Sequence, residues 1–264
     1  MKDERLLSVT RDAIRSTVRG RIVPDLLRSH MGRNDPKKAA NENVSHHGEI
    51  SQGELDRFVQ TLLHKSEADA AATFEHLFES GISVDTLFSS LLAPAAIELG
   101  EMWCDDTVNF GDVTLGVSTL HQILRRNGHR LNVELVADNH ELSVLVTPMP
   151  EEFHIFGLAM VEEYFKAARW QVLSGFDMRE RDLVDTVGHE QLDVVGLSVA
   201  TVNEIENANK LITRVRSSSR RNDLKVIVGG AAFAAGGGDW KSTGADGFAP
   251  DAISAVQVAF DLCR

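Results

Sequence analysis

From residue 142 onward the sequence alternates short apolar runs with amphipathic segments, and this alternation limits the possible folds of the chain more than any other feature. The apolar runs cover residues 142–147, 170–174, 194–199 and 225–228, with a weaker one at 245–249. Nearly continuous apolar runs are typical of strands buried on both faces, so they predict a parallel sheet. Helices are predicted between them, at residues 155–168, 179–189, 203–216 and 251–262, with a short one near Trp240. We therefore expect a doubly wound α/β domain of five strands.

The preceding residues, 50–128, show helical periodicity instead. Ser51 followed by Glu54 is a capping box, and Asn127-Gly128 is typical of a helix end. Four amphipathic helices with short loops predict a small bundle, in which Pro94 should kink the third helix because it lacks an N–H. The predicted division is an arm and linker at 1–49, a four-helix bundle at 50–130 and the sheet domain at 140–264.

The amino-terminal segment differs from the rest of the chain in charge. Residues 1–38 contain ten Lys and Arg against five Asp and Glu, so they carry +5, whereas the remainder carries −17. Apolar residues recur in this segment at close to helical spacing, namely Leu6, Val9, Ile14, Val18, Ile22 and Leu26. The pattern predicts an amphipathic helix with a basic face. That face is either simply solvated or docks on an acidic partner or a nucleic acid.

Composition excludes several classes of protein. The net charge of −12 argues against a chain that binds nucleic acid over its whole surface. No run of about 18 apolar residues predicts a membrane span, and the charged amino terminus is unlike a secretory signal. The two cysteines, Cys104 and Cys263, are too few for a disulfide scaffold and fit a reducing cytoplasm.

The loops that follow the strands carry the candidate functional residues, because ligands of doubly wound sheets bind at the carboxyl ends of the strands. Glu152 and His154 follow the first strand, with Gly157 at the start of the next helix. Ser198 ends the third strand, and Gly229-Gly230 ends the fourth. Each feature alone has a structural explanation: a loop histidine, a strand cap and a turn. Together they indicate a ligand pocket with an oriented imidazole.

These motifs resemble the cobalamin-binding domain that uses the base-off, His-on mode. The family pattern Asp-x-His-x-x-Gly, Ser-x-Leu and Gly-Gly stands here as Glu152-x-His154-x-x-Gly157, Ser198-x-Ala200 and Gly229-Gly230. The resemblance implies a flavodoxin-like sheet, with His154 as the lower axial ligand of cobalt and Ser198 and the glycines around the nucleotide tail. Two departures, Glu152 for Asp and Ala200 for Leu, are expected to affect affinity more than binding mode.

The bundle extends the resemblance over about residues 50–264. Leu99-Gly100-Glu101-Met102-Trp103 is similar to the family segment whose Trp covers the upper axial position of the corrin. Light-sensing members that are fused to a MerR-type DNA-binding head place a Glu-His pair about ten residues further on, where this chain has Val113-Thr114. The residues expected to contact cobalamin are Trp103, Val113, Thr114, Glu152, His154, Gly157, Ser198, Ala200, Thr201, Gly229, Gly230 and Gly247.

A short arm, a linker, a bundle and a sheet resemble the AerR/PpaA antirepressors of purple photosynthetic bacteria. The resemblance implies a light-responsive regulator, not an enzyme, that acts on a repressor of the CrtJ/PpsR type. It also leaves room for DNA contact through that partner or the basic arm, and implies no membrane. Two alternatives stay open: a corrinoid methyl carrier of a methyltransferase system, and a related fold that has lost cobalamin.

Overall fold

The computed structural model describes residues 49–133, 142–152, 155–234 and 237–264. The chain divides into two compact units, with the boundary between Ile123 and Leu124. The basic segment predicted at residues 1–38 and the predicted cobalt ligand His154 both lie outside the described residues. Within those residues, no helix is both long enough and apolar enough to cross a bilayer.

The first unit is helical. Its helices are α1 (Gln52–His64), α2 (Glu67–Glu79), α3 (Val84–Leu87), α4 (Ala93–Cys104) and α5 (Phe110–Asn127), the last of which continues into the second unit. Capping boxes start α1 and α2, at Ser51–Glu54 and Ser66–Asp69, where each hydroxyl and carboxylate satisfy backbone N–H groups. The core of this unit consists of large, fully buried side chains, among them Phe58, Phe74, Leu87, Phe88, Leu91, Leu99 and Leu120.

Pro94 is accommodated in a way that the sequence does not predict. A π-helical turn, Phe88–Leu92, lies between α3 and α4, and the Ala93 N–H donates to the Phe88 carbonyl five residues back. Pro94 then falls in the first turn of α4. Backbone N–H groups there have no acceptor within the helix, so proline loses no hydrogen bond. The expected kink in a single third helix is thus replaced by three consecutive helical segments.

The second unit is a five-stranded parallel sheet in the order β2-β1-β3-β4-β5, as the flavodoxin-like prediction requires. The strands are β1 (Ser143–Pro148), β2 (Gln171–Ser174), β3 (Val194–Ser198), β4 (Lys225–Gly229) and the two-residue β5 (Gly247–Phe248). The helices between and after them are α6 (Phe156–Ala167), α7 (Glu180–His189), α8 (Ile205–Ser218) and α9 (Ala252–Leu262). The predicted doubly wound fold is confirmed.

The core of the sheet unit follows from its apolar runs. The three central strands, β1, β3 and β4, are almost entirely buried, because α6 packs with α9 and α7 packs with α8. One continuous cluster joins α7 and α8 to the sheet through Leu145, Leu183, Val187, Val195, Leu211 and Val226. Strand β2 lies at an edge of the sheet and is partly exposed, which explains its weaker apolar character.

Charged side chains hold the amino ends of the strands together. Asp193, directly before β3, accepts hydrogen bonds from the Ser143 N–H and hydroxyl, both at 2.8 Å, and pairs with Arg221 at 2.6 Å. Asp246, directly before β5, accepts from the Val226 N–H at 2.7 Å and pairs with Arg216 at 2.8 Å. Each carboxylate therefore connects two strands and has a cationic partner.

Candidate functional site

The register of the sheet brings the predicted motifs into one row. Pro148 at the end of β1 pairs with Ser198 at the end of β3, and Ser198 pairs with Gly229 at the end of β4. Strands β1 and β3 are neighbours in the sheet. The connection after β1 leads to β2 on one side, and the connection after β3 leads to β4 on the other. In open α/β sheets this switch point is where ligands bind, beyond the carboxyl ends of the strands.

The loop after β1 is a tight turn fixed to the neighbouring strand. The Met149 N–H donates to the Ser198 carbonyl at 2.9 Å, and the Glu152 N–H donates to the Met149 carbonyl at 3.1 Å. Glu151 has φ of +71°, which with Pro150 before it is the pattern of a type II turn. A non-glycine residue in this conformation is strained, so the surrounding contacts determine the path of the chain toward residue 153.

Gly157 leaves open space in the first turn of α6. It is exposed, and among the described residues a Cβ placed on it would have no atom within 4 Å outside its own helix backbone and chain neighbours. The half-buried Glu152 lies at the other end of the same loop. A bulky group can therefore approach the backbone of α6 at this position. The predicted axial contact of His154 and its orientation by Glu152 stay predictions, since His154 lies outside the described residues.

Ser198 offers a hydroxyl to this edge of the sheet. The side chain is half-buried, and among the described residues its Oγ makes no hydrogen bond, while its carbonyl is used by Met149. Ala200 is half-buried just beyond it. Thr201 caps the following short helix, where its N–H donates to Glu204 Oε2 at 3.0 Å. Of these three residues, Ser198 has the hydrogen-bonding capacity that a polar ligand requires.

Only glycine fits at Gly229 and Gly230, at the end of β4, because backbone atoms of neighbouring loops lie close to both residues. A Cβ on Gly229 would lie 2.8 Å from the Ala249 carbonyl oxygen. A Cβ on Gly230 would lie 2.4 Å from the Val199 carbonyl oxygen, and Gly230 has φ of +104°. These positions therefore let the loops after β3, β4 and β5 meet closely. The predicted contact of this pair with a flat ligand stays a prediction.

Gly247 has a similar structural reason. A Cβ there would lie 2.6 Å from Val258 Cγ1 of α9, so this glycine faces a helix. The sequence did not single out the aromatic group beside it: the Phe248 ring contacts Phe233 at 5.8 Å and Trp240 at 6.3 Å between centroids. Phe233 and Trp240 also pack on the sheet core, and nothing in the sequence distinguishes them from ordinary core aromatics.

In the helical unit, the predicted residues lie on α4 and α5. Trp103 is half-buried and its ring is 6.3 Å from that of Phe110. Its indole Nε1–H is buried, with no hydrogen-bond partner among the described residues. Val113 is half-buried, and the exposed Thr114 donates its hydroxyl to the Phe110 carbonyl at 2.7 Å. Neither Val113 nor Thr114 carries a metal-ligating group.

Comparison with known proteins agrees with this geometry. Residues 142–257 match the family described as the B12 binding domain. This region is a B12 binding domain. A 20.5 kDa protein of the bchF-crtJ intergenic region of Rhodobacter capsulatus is 24% identical over 177 residues, covering 66% of this chain and 90% of that protein. The dimethylamine corrinoid protein of Methanosarcina barkeri is 25% identical over 168 residues, covering 62% of this chain and 74% of its own length.

A solved structure gives the same fold. The monomethylamine corrinoid protein of Methanosarcina barkeri superposes with a TM-score of 0.62 at 16% identity, over 80% of this chain and 99% of that one. The B12 binding domain of this chain also has features that suit a corrinoid at the carboxyl edge: the space beside Gly157 and the Ser198 hydroxyl. These comparisons confirm the predicted family resemblance and the prediction that cobalamin is the cofactor of this domain.

Proposed function

We propose that His154 binds the cobalt of a cobalamin in the base-off, His-on mode. The observation that carries the proposal is the row Pro148, Ser198 and Gly229 at the switch point of a B12 binding domain, with open space beside Gly157. His154 follows β1 in the sequence, two residues after the Met149–Glu152 turn. Ser198 donates to the displaced nucleotide tail, and Glu152 accepts from the imidazole and fixes its tautomer.

We further propose that the chain is a transcriptional regulator that acts as an antirepressor on a CrtJ/PpsR-type repressor. The similarity to the protein of the bchF-crtJ intergenic region supports this role, because that region lies beside crtJ and the family resemblance implies a repressor of the CrtJ/PpsR type. Bound cobalamin supplies a cobalt–carbon bond that light can break. Trp103 contributes an aromatic surface and an N–H donor in the helical unit, whose packing responds to the upper ligand.

Absorption spectroscopy tests the axial ligand. The purified chain is mixed with hydroxo-, methyl- or adenosylcobalamin in the dark and again after illumination. We expect a base-off, His-on spectrum that is lost in His154→Ala and kept in the matched control His189→Ala, an exposed histidine of α7. An unchanged spectrum in His154→Ala would show that another group binds cobalt, and an absence of bound corrinoid in every form would leave only the fold.

A second test addresses the regulatory role. The affinity of a CrtJ/PpsR-type repressor for its promoter DNA is measured with and without the cobalamin-loaded chain, in the dark and after illumination. We expect the loaded chain to change that affinity, and the His154→Ala chain to leave it unchanged. The same DNA titrated with the chain alone separates action through the repressor from direct contact by the basic arm. An unaltered repressor affinity in all conditions contradicts the antirepressor role.

The second candidate function is a corrinoid methyl carrier, which the similarity to the dimethylamine corrinoid protein favours. A carrier passes its methyl group to a folate or a thiol with the help of a partner methyltransferase. Transfer from the methylcobalamin-loaded chain to such an acceptor, in the dark and with a methyltransferase present, would support this function over light-responsive regulation.

A further inference from the structure

The helical unit is far more acidic than the rest of the chain. Residues 49–123 contain 13 Asp and Glu against two cations, Arg57 and Lys65. Their net charge is therefore −11, while that of the whole chain is −12. A small unit with this net charge repels itself and attracts basic segments over about one Debye length, roughly 10 Å at 0.1 M salt. A basic ligand is therefore the chemistry that its surface fits.

Carboxylates on α4 show the effect of this imbalance. Partial burial raises the pKa of Glu98, and the neighbouring charges of Asp56 and Glu101 raise it further. Partial burial also raises the pKa of Glu101, with Asp105 as the second cause. Among the described residues, neither the Glu98 nor the Glu101 carboxylate has a hydrogen bond or an ion pair. A cation brought near them would relieve this repulsion.

Helix α5 presents an uncharged face in this acidic unit. Gly111, Leu115 and Ser118 lie on one side of the helix at helical spacing, and all three are exposed. Leu115 is 68% exposed and is the large apolar side chain of this face. Phe110 is equally exposed, but its ring contacts that of Trp103, which is a predicted cofactor residue.

The chain itself contains a segment of matching chemistry. Residues 1–38 carry +5 and repeat apolar residues at close to helical spacing, as an amphipathic helix does. The part of the predicted linker beyond this segment, residues 39–49, leads to the start of α1 and can extend to about 36 Å, more than the length of any described helix of the unit. A tethered segment meets its site at an effective concentration in the millimolar range, so weak apolar and electrostatic contacts suffice.

We infer that residues 1–38 dock on the helical unit of the same chain, with their apolar side against the Gly111, Leu115 and Ser118 face of α5 and their arginines among its carboxylates. The occupant is this segment and not a second copy, because the tether favours the intramolecular contact at low protein concentration. Docking would shield the basic segment from an acidic partner or a nucleic acid until it is released.

Limited proteolysis of the full chain tests the inference, since trypsin cleaves after the arginines of residues 1–38. Leu115→Lys removes the apolar contact and repels the arginines, and Val18→Asp changes the other side of the same contact. We expect both variants to lose the amino-terminal fragments about tenfold faster than the unaltered chain, followed by mass spectrometry at low salt. Ile253→Lys is the matched control, because Ile253 is an exposed apolar residue of α9 that is 51% exposed.

The outcomes distinguish docking within one chain from docking by a second copy. Protection that is unchanged on dilution, falls at about 1 M salt and is lost in Leu115→Lys and Val18→Asp supports docking within one chain. Equal cleavage rates in all four proteins overturn the proposal, as does protection that disappears on dilution, which indicates a second copy. Circular dichroism shows whether Leu115→Lys keeps its helices, and Val18→Asp gives an independent reading because it lies outside the helical unit.

Discussion

At the amino edge of the sheet, Asp193 and Asp246 each accept a backbone N–H and pair with an arginine, whereas the carboxyl row of Pro148, Ser198 and Gly229 carries no charge. The first edge has its charged groups satisfied by the protein. The second has the Ser198 hydroxyl, which makes no hydrogen bond to any of the residues described by the structure, and open space beside Gly157. The difference shows that one edge is used to hold the strands together, while the other retains unsatisfied capacity for a ligand.

The largest expected effect is at a glycine of the carboxyl edge that serves the fold. Gly230→Ala places a Cβ against the Val199 carbonyl in a conformation that alanine rarely adopts. We expect it to lower the free energy of unfolding by about 3 kcal/mol or more, measured by urea denaturation. A loss below about 1 kcal/mol would mean that the loops after β3 and β4 do not meet as closely as described.

Asp193→Ala tests the amino edge. It removes the ion pair with Arg221 and leaves the Ser143 N–H without its acceptor, so we expect a loss of about 2 kcal/mol in the free energy of unfolding. Cobalamin affinity, measured by spectral titration of the folded variant, should stay within about twofold of the unaltered chain. A large loss of affinity in a folded Asp193→Ala protein would contradict the separation of the two edges.

The reverse result is expected at the carboxyl edge. Gly157→Ala adds a methyl group where, in the part of the chain that the structure describes, no atom lies within 4 Å outside its own helix backbone and chain neighbours, so stability should change by less than about 1 kcal/mol, toward greater stability because alanine favours helices. The same methyl group should weaken cobalamin binding by about tenfold, or 1.4 kcal/mol, if a corrinoid approaches α6 there. Ser198→Ala should lower affinity less, by about threefold to tenfold, because it removes one hydrogen bond. Unchanged affinity in both variants would place the cofactor elsewhere.

The smallest effect is expected in the helical unit and depends on pH. Because folding raises the pKa of Glu98, the folded state binds its proton more tightly, and stability falls as pH rises above the pKa of the unfolded chain. Glu98→Gln should therefore raise the free energy of unfolding by a few tenths of a kcal/mol at pH 7, and this gain should vanish near pH 4. Denaturation curves at the two pH values measure it, and a gain of equal size at both would exclude a charge effect.

The sequence predicts the fold well where burial decides it. The runs that became β1, β3 and β4 are apolar because both faces of those strands are covered, and the four long helices predicted for the sheet unit agree with the structure within one or two residues. Burial is a local property of the pattern, so it can be read without knowing the tertiary contacts.

Tertiary contacts explain what the sequence did not predict. Gly230 and Gly247 are glycines because of Val199 and Val258, which lie far from them in the chain. The strained turn at Glu151 also depends on a neighbouring strand, through the bond from Met149 to Ser198. The site residues were found by motif, and their contacts with cobalamin stay predictions because sequence spacing does not give the direction of a side chain.

The π-helical turn at Phe88–Leu92 has an evolutionary consequence. A helix that bonds five residues back holds one residue more per turn than an α-helix, as a single-residue insertion produces. Deleting one residue there should restore a regular helix and leave the later positions of α4 facing as they do, whereas the same deletion inside a regular α-helix rotates every later position by about 100°. Alignments of this chain with its relatives should therefore allow a one-residue gap in this turn, just ahead of Pro94.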